Sequence, residues 1–269
     1  FFSDDVSVLL NDGLGGFLAS QDVASGDAPV FVSLGHLNSD MFLDLAVANR
    51  NSDSVSVLLN EGDGTFQPRI DLACGDQPLS LFVDDLDGDG STDIAVANTS
   101  SGTVSVWLGD GDGNFESRQD FAAGSVPFAV AGSDFDGNGS VDLVVANLSR
   151  DSINVLPGTG DGSFPVRRSS DTGGGPRSIT IGDFDGNGTP DIATANADSD
   201  ALSVLLNRRE VVRDCPADVS GDGTVNLADL NIVLASFGTA TTEGDTNNDG
   251  EVDLADLNAV LAEFGVDCS

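Results

Sequence analysis

Short apolar runs separated by polar turns recur along the first 207 residues with a constant period of 49 residues. In one repeat the runs occupy residues 79–83, 93–98, 104–108 and 115–122. Their alternation of apolar and polar positions, bounded by Gly and Asp turn residues, predicts four short strands per repeat. No helical pattern occurs before residue 208, so strands and turns account for the whole repeat.

Single residues keep the same step without one insertion. They include Phe17, Phe66, Phe115 and Phe164, and Pro29, Pro78, Pro127 and Pro176. A fixed period of this length indicates an array of identical supersecondary units, and a four-stranded propeller blade fits it best. A parallel β-helix is the alternative, but its repeats are usually shorter. The chain is therefore predicted to be mainly β, with a β-propeller of four-stranded blades over residues 1–207.

Aspartate-rich loops join the predicted first and second strands. Three copies begin at Asp85, Asp134 and Asp183, and a glycine in each allows a sharp turn. Such loops gather roughly six to eight hard oxygens, the ligands that Ca²⁺ prefers, and Ser91 would contribute its backbone carbonyl. The predicted ligand positions are Asp85, Asp87, Asp89, Ser91 and Asp93; Asp134, Asp136, Asn138, Ser140 and Asp142; and Asp183, Asp185, Asn187, Thr189 and Asp191.

A fourth, eroded copy of the loop begins at His36, again 49 residues before the next copy. Its ligand positions hold His36, Asn38, Asp40 and Asp44, and Met41 replaces the turn glycine. With two carboxylates left, this loop is expected to bind calcium weakly or not at all. His36 is interpreted as a loop replacement rather than a catalyst.

Residues 85–98 and their copies at 134–147 and 183–196 resemble the FG-GAP/VCBS repeats of the integrin-α-like propeller family. The resemblance covers residues 1–207. It implies that the aspartate loop connects the first and second strands of a blade and holds Ca²⁺. It also implies a complete ring of about seven blades.

The strand count does not close such a ring. The repeats supply four first, second and fourth strands but five third strands, and the last repeat ends after its third strand at residues 206–207. Closure would require a fourth strand from the N-terminus, which leaves residues 6–10 redundant in a four-bladed ring. We therefore expect a truncated ring of about seven blades that lacks about three at its start. A closed four-bladed ring is the alternative.

After a connector at residues 208–215, two segments that begin 27 residues apart carry a different calcium loop. Loop positions 1, 3, 5, 7 and 12 hold Asp218, Ser220, Asp222, Thr224 and Asp229, and then Asp245, Asn247, Asp249, Glu251 and Asp256. Each loop runs into a predicted helix that Gly238 or Gly265 ends. The predicted apolar faces are Leu227, Leu230, Leu234 and Phe237, and Leu254, Leu257, Leu261 and Phe264. The loops match the EF-hand pattern, although Asp replaces Glu at position 12 and no clear helix precedes the first loop.

The paired loops and helices of residues 216–269 resemble a type I dockerin. The resemblance implies binding to a cohesin-type module and a need for calcium in folding. The near-identity of the two halves would permit two binding orientations related by a pseudo-two-fold axis. The resemblance also implies that loop positions 10 and 11 help to choose the partner. These positions hold Leu227, Ala228, Leu254 and Ala255.

Composition limits the partners and the compartment. The chain has 45 acidic and 10 basic residues, and its net charge of −35 argues against nucleic acid and anionic membranes. No run of about 20 apolar residues exists, so no membrane insertion is expected. The sequence lacks a signal-peptide pattern and is interpreted as a processed product or fragment of a secreted, extracellular or cell-surface protein. Cys215 and Cys268 are expected to pair, and Cys74 to be a small buried thiol.

Three functions are open at this point. The first is a calcium-binding recognition or adhesion protein whose propeller binds a protein or glycan and whose dockerin binds a cohesin. The second is a component of a polysaccharide-degrading complex with any catalytic part elsewhere, since this stretch has no Tyr, no Lys and one His, and is not expected to be an enzyme. The third is a structural spacer. The candidate ligand contacts lie opposite the calcium loops, at residues 50–54, 99–103, 148–152 and 197–201.

Overall fold

The computed structural model describes residues 4–208, 216–220, 224–240, 244–247, 249–262 and 264–265. The chain divides into two compact units, Phe1–Asn207 and Arg208–Ser269. We call them the propeller unit and the C-terminal unit, and each is described by itself.

The propeller unit is built from short antiparallel strands. They are β1 (Asp5–Val8), β2 (Gln21–Ala24), β3 (Pro29–Gly35), β4 (Asp44–Asn49), β5 (Ser54–Leu58), β6 (Ile70–Ala73), β7 (Pro78–Asp84), β8 (Asp93–Asn98), β9 (Thr103–Trp107), β10 (Gln119–Ala122), β11 (Pro127–Ser133), β12 (Asp142–Asn147), β13 (Ser152–Leu156), β14 (Arg168–Asp171), β15 (Pro176–Gly182), β16 (Asp191–Asn196) and β17 (Ala201–Leu205). A 3₁₀ turn at Leu148–Arg150 precedes β13.

Consecutive strands pair into meanders, as the repeat predicts. Three sheets have four strands each and run β3 to β6 (blade 1), β7 to β10 (blade 2) and β11 to β14 (blade 3). Strands β15 to β17 form a three-stranded sheet, blade 4, and β1 pairs with β2 as an N-terminal hairpin. The prediction of a mainly β fold with four-stranded, propeller-like units is confirmed.

The predicted start of the fourth strand in each blade is wrong by a few residues. In blade 2 the strand begins at Gln119 rather than at Phe115. Gln119 pairs with Val106, whereas Phe115 forms an isolated bridge with Gly109, and these two pairings differ by one residue in register. The extra residue is a bulge that interrupts the ladder between the turn and the strand.

The N-terminus does not supply the missing fourth strand of blade 4. Within the described residues β17 pairs with β16 alone, and β1 pairs with β2. Strands β1 and β2 lie 49 residues before β5 and β6, so the hairpin repeats the third and fourth strands of blade 1. Residues 6–10 are therefore paired within a hairpin, and the closing strand that the alternative four-bladed ring requires is not formed among the described residues.

Apolar side chains pack between adjacent blades rather than within one blade. Val55 and Val57 of blade 1 lie in one buried cluster with Ile94 and Trp107 of blade 2. Among the described residues, the equivalent side chains of blade 4, Leu202 and Val204, belong to no such cluster. Leu202 is 67% exposed where Val55 is fully buried, although both belong to third strands. The repeated apolar side chains are thus buried by contact with the next blade.

The first strands of successive blades lie side by side, β3 against β7, β7 against β11, and β11 against β15. Together they line a cavity of about 370 Å³. The Arg177 guanidinium lies 5.7 Å from the centre of the Phe128 ring at this cavity. Inner strands around a shared cavity are the arrangement that a propeller axis requires.

Each crossing between blades contains a residue in the left-handed region at the same repeat position. These residues are Ala28, Gln77, Val126 and Gly175, with φ of 54°, 55°, 59° and 67°. This region costs a non-glycine residue roughly 1–2 kcal/mol, and β-branched residues are the least tolerant.

We expect Val126→Gly to stabilise the chain by about 1 kcal/mol, because relief of this strain exceeds the added unfolded-state entropy of glycine. The measurement is the urea midpoint of unfolding. Ala28→Gly is the matched control and should change stability less, because alanine is not β-branched. A Val126→Gly protein that unfolds at lower urea would contradict the expectation.

The C-terminal unit has two helices, α1 (Leu227–Ser236) and α2 (Leu254–Ala262). Asn226 caps α1, since its side chain accepts from the Ala228 N–H at 2.7 Å. The helices end before Gly238 and Gly265, whose φ values of 78° and 88° match the predicted stops. No described helix has the length and apolar content needed to span a bilayer.

The predicted apolar faces of these helices are only partly correct. Val233 and Val260 are fully buried at the centre of a cluster that includes Val225 and Val252, with Leu230 and Leu257 partly buried. Six residues of the two predicted apolar faces are instead exposed, by 47% to 64% of their surface. They are Leu227, Leu234, Phe237, Leu254, Leu261 and Phe264.

Candidate metal centres

Each acidic loop lies in the connection between the first and second strands of a blade. In blade 2 it runs from the end of β7 to Asp93, the first residue of β8. The second strand is buried along its whole length, so the loop is held at both ends by the sheet. The equivalent loops lead to Asp142 in blade 3 and Asp191 in blade 4.

Three groups of acidic side chains gather in these loops. In each group one carboxylate oxygen per residue lies within 4.8 Å of the others. The groups are Asp85, Asp87 and Asp89; Asp134, Asp136 and Asp142; and Asp183, Asp185 and Asp191. The structure therefore brings together three of the predicted carboxylates in every complete loop.

Backbone N–H groups fold each loop around its first aspartate. In blade 2 the N–H of Gly88 donates to Asp85 Oδ1 at 2.7 Å and that of Gly90 to Asp85 Oδ2 at 2.9 Å. Ser91 donates its N–H to Asp89 Oδ1 at 2.6 Å, which leaves its carbonyl as the available backbone ligand. Blades 3 and 4 repeat these contacts on Asp134 and Asp183.

The last aspartate of each loop has a structural role that the sequence did not reveal. Asp93 is fully buried and accepts the Leu86 N–H at 2.7 Å and the Gly109 N–H at 2.8 Å. It therefore ties the loop to the turn after the third strand. The same pair of bonds forms on Asp44, Asp142 and Asp191.

Burial raises the pKa of three of the tying aspartates, Asp44, Asp93 and Asp142. It raises the pKa of Asp93 to about 6, against the opposing effect of two backbone hydrogen bonds. Hydrogen bonding from the Gly188 N–H lowers the pKa of the exposed Asp183. A bound cation would favour the ionised form of every one of them.

The eroded loop keeps its fold without the acidic group. Asp44 makes both tying bonds, to the N–H groups of Leu37 and Asn60. His36 Nδ1 lies 3.0 Å from the Phe42 carbonyl, a contact that fixes the ring locally. Retention of Asp44, where His36 and Asn38 replace the first two aspartates, is the signal that marks this position as structural.

The C-terminal loops also use their last aspartate as a tie. Asp229 accepts the Ser220 and Asn226 N–H groups at 2.8 and 2.7 Å, and Asp256 accepts those of Thr246 and Asp253, both at 2.8 Å. Both carboxylates are fully buried.

Part of each C-terminal loop, including the predicted ligand Asp222, lies outside the described residues. In the described part, no three acidic side chains gather within 4.8 Å. Asp245 and Asp249 accept the Gly250 and Glu251 N–H groups at 3.0 Å, so the second loop is folded around its first residues as in the propeller unit.

The donor set fits a hard divalent cation. The propeller loops offer carboxylate, amide and backbone oxygens, and no nitrogen or sulfur ligand belongs to the three acidic groups. Six to eight oxygens from a compact, flexible loop is roughly the coordination that Ca²⁺ takes. The structure thus supports metal binding at three propeller loops, compatible with calcium.

The opposite ends of the blades carry a second polar feature that the sequence reading missed. In blade 1, Asn49 Nδ2 donates to Ser56 Oγ at 2.8 Å, and Ser56 Oγ donates to Asp71 at 2.9 Å. The Arg69 guanidinium forms an ion pair with the same Asp71 carboxylate at 2.8 Å, so the three side chains and Asn49 form one network. The repetition of Asn at this position, 49 residues apart in every blade, could have signalled it.

Cys74 is 8% exposed in the core between blades 1 and 2. Burial raises the pKa of its thiol to about 12, and the prediction of a small buried thiol is consistent with the structure. Cys215 and Cys268 lie outside the described residues.

Propeller-like sheets with acidic metal loops define a class of repeat protein, and the sequence pattern identifies its family. The FG-GAP-like repeat matches residues 36–96, 85–145 and 134–194, which together make up more than half of the chain. The chain belongs to the FG-GAP-like repeat family. Each match begins at the first residue of an acidic loop, including the eroded one. No curated protein matches the sequence.

Solved structures support the fold. An Agrocybe aegerita lectin, described for specific recognition of non-reducing terminal N-acetylglucosamine, matches with a TM-score of 0.50 and 22% identity over 75% of this chain and 60% of the lectin. A protein from Bacteroides uniformis, a candidate 6-phosphogluconolactonase, matches with a TM-score of 0.57 and 17% identity over 75% and 60%.

A similar candidate from Bacteroides fragilis matches with a TM-score of 0.54 and 14% identity over 76% of this chain and 64% of that protein. The chain spans less than two thirds of each of these structures. At such identities the likeness concerns the fold alone.

Proposed function

We propose that this chain is an extracellular, calcium-binding recognition protein, in which the propeller unit binds a protein or glycan and the C-terminal unit is a dockerin that binds a cohesin-type module. The observation that carries the proposal is the repeated acidic loop, present three times in register in one unit and, in a different form, twice in the other. We assign Ca²⁺ to about five sites.

The exposed apolar surface of the C-terminal unit supports a docking role. Leu227 and Leu254, at loop position 10 of each half, are 64% and 60% exposed, and each heads a row of exposed apolar residues along its helix. The rows are copies of each other 27 residues apart. Two equivalent apolar surfaces on a small acidic module fit a partner that accepts either orientation.

Binding to a panel of immobilised cohesin modules tests the proposal, with the full chain in calcium or in chelator. Calcium-dependent binding is expected. Leu227→Ala or Leu254→Ala alone should weaken it only about twofold, because the other surface remains, whereas the double variant should lose at least tenfold. Loss of all binding in one single variant would contradict the two-orientation model.

We also propose that further blades of the same type cover the exposed ends of the propeller unit. Leu202 and Val204 of blade 4 are 67% and 48% exposed, while their counterparts Val55 and Val57 are fully buried. An apolar face with a buried equivalent in the same molecule is suited to the same kind of neighbour.

The double variant Leu202→Asp, Val204→Asp is expected to change the unfolding free energy by less than about 0.5 kcal/mol and to reduce self-association. Val55→Asp is the matched control and should destabilise by about 4 kcal/mol or more, because it buries a charge. Light scattering and urea unfolding measure the two effects. A large loss of stability in the blade 4 variant would mean that its face is already covered.

The propeller unit is proposed to act by binding rather than catalysis. Its acidic residues are concentrated in metal loops and turns, and the chain lacks Lys and Tyr. The similarity to a lectin is compatible with a glycan ligand but is limited to the fold. An array of glycans and extracellular proteins, probed with the calcium-loaded chain, would identify the ligand class.

A further inference from the structure

In blades 1 and 2, a serine, an aspartate and an arginine form a connected network of side chains at the end opposite the acidic loop. In blade 2, Ser105 Oγ donates to Asp120 at 2.6 Å, and Arg118 pairs with Asp120 at 3.1 Å. Blade 1 has the same network at Ser56, Asp71 and Arg69. The aspartate is thus the acceptor for both a buried hydroxyl and a guanidinium.

Blade 3 lacks this aspartate but keeps the arginine. Ser169 occupies the position of Asp120, and Arg167 occupies that of Arg118, each 49 residues later. Asn154 replaces the serine and lies directly across the sheet from Ser169. Among the described residues Arg167 forms no ion pair, in contrast to Arg118 and its counterpart in blade 1.

Two further exchanges alter the charge at the same place. Ser125 stands where the preceding repeats have Asp27 and Asp76, and Arg150 stands where they have Ser52 and Ser101. Seven residues of blade 3 surround this place, and blades 1 and 2 have seven counterparts at the same repeat positions. In blades 1 and 2 they carry two aspartates and one arginine, whereas in blade 3 they carry two arginines and no acid.

A cavity of about 360 Å³ opens where the aspartate is missing. Its lining is Gly124, Ser125, Arg150, Ser152, Asn154, Arg167 and Ser169. Asn154 is 4% exposed, and its Nδ2 donates to the Ala123 carbonyl at 2.6 Å, so the amide that replaces Ser105 is held by the backbone at the edge of the cavity. Arg150 forms no ion pair within the described part of the chain.

We propose that this cavity binds the carboxylate of an acidic ligand. The ligand carboxylate would pair with Arg167 as the Asp120 carboxylate pairs with Arg118 in blade 2. The proposal rests on the recognition function proposed above and names the chemical class of its ligand. Guanidinium groups bind carboxylates through paired hydrogen bonds, and the hydroxyls of Ser152 and Ser169 can donate to the same oxygens. Because aspartate carboxylates occupy the equivalent position in blades 1 and 2, a carboxylate is favoured over other anions.

The surroundings make such a site selective. A chain of net charge −35 repels anions elsewhere, so a local pair of arginines is a marked exception. Two of the residues that line the cavity, Arg150 and Ser152, belong to residues 148–152, one of the four loops predicted as ligand contacts. Asp171 lies two residues beyond Ser169 on the same side of β14 and does not line the cavity.

The direct test is a titration of the calcium-loaded full chain with sodium acetate, against sodium chloride at equal ionic strength. The arginine Nε–H signals are followed by ¹H–¹⁵N NMR. Saturable shifts of the Arg150 and Arg167 signals are expected, while those of Arg69 and Arg118 stay unchanged because internal aspartates already occupy them. Absence of saturable shifts at Arg150 and Arg167 would overturn the proposal.

Ser169→Asp is the decisive variant, because it restores the residue of blades 1 and 2. The new aspartate should pair with Arg167, lower the acetate affinity at least tenfold, and leave the chain folded. The reverse transplant in blade 2, Asp76→Ser with Ser101→Arg and Asp120→Ser, should create acetate-dependent shifts of Arg118. Acetate binding that is unchanged in Ser169→Asp would place the site elsewhere and reject the proposal.

Two further probes identify the source of the carboxylate. D-glucuronate represents an acidic saccharide and N-acetyl-L-aspartate an acidic peptide, with methyl glucoside as the neutral control. Tighter binding of either acid than of acetate supports the proposal and names the source, whereas equal binding of the neutral sugar contradicts it. The proposed recognition function would fall separately, if the array found no ligand that the propeller unit binds.

Discussion

Chelation of calcium is expected to unfold the C-terminal unit while the propeller unit stays folded with lower stability. Among the described residues, the C-terminal core has five fully buried apolar residues, four valines and one alanine, which supply little apolar area for so short a chain. Its loops concentrate carboxylates that repel one another without a cation. Ions in these loops would therefore supply a large part of the folding free energy.

Calorimetric titration and circular dichroism of the full chain measure this effect. About five sites are expected, three in the propeller unit and two in the C-terminal unit. Each ion at 100 times its dissociation constant adds about 2.7 kcal/mol. Retention of the helical signal in chelator, after reduction of any disulfide, would contradict the dockerin assignment.

Asp93→Ala is expected to destabilise the propeller unit by about 2–6 kcal/mol even without calcium, because two buried N–H groups lose their acceptor. Leu86 and Gly109 donate to this carboxylate, and Leu86 is 1% exposed. Urea unfolding of the chelated protein measures the loss.

Two matched variants separate the structural role from metal binding. Asp44→Ala removes the same tie from the eroded loop and should destabilise similarly without changing the number of calcium sites. Asp87→Asn should remove one calcium site and leave the chelated protein nearly as stable, since its carboxylate accepts one exposed backbone bond. Equal stability of the Asp93→Ala and Asp87→Asn proteins in chelator would refute the distinction.

The sequence predicted the second strand of blade 2 to the residue, Asp93–Asn98, because a fully buried strand is a continuous apolar run bounded by polar turns. The fourth strand was harder, since the bulge after Phe115 has no signature in the local pattern. Helix positions were also correct. Their buried faces were not, because Val233 outcompetes Leu234 for a core too small to hold both.

The metal loops were predicted from spacing, but the tying role of Asp93 depends on Gly109, which is distant in sequence and adjacent only in the folded blade. The cavity of blade 3 depends likewise on the pairing of Asn154 with Ser169 across the sheet. The exchanges that form the cavity are visible when the repeats are aligned at their 49-residue step. They become interpretable only when the register shows which positions face each other.

The hydrogen bonds between the two halves of the C-terminal unit have a consequence for how it responds to its metal. Gly238, after α1, donates its N–H to the Val252 carbonyl in the second loop, and Gly265, after α2, donates to Val225 in the first, both at 2.7 Å. An ion that orders one loop therefore also restrains the end of the helix that is bonded to it. This lowers the entropic cost of ordering the other loop when the second ion binds. The two sites are expected to fill cooperatively, so that a gradual rise in calcium concentration would produce a steep transition to the folded C-terminal unit.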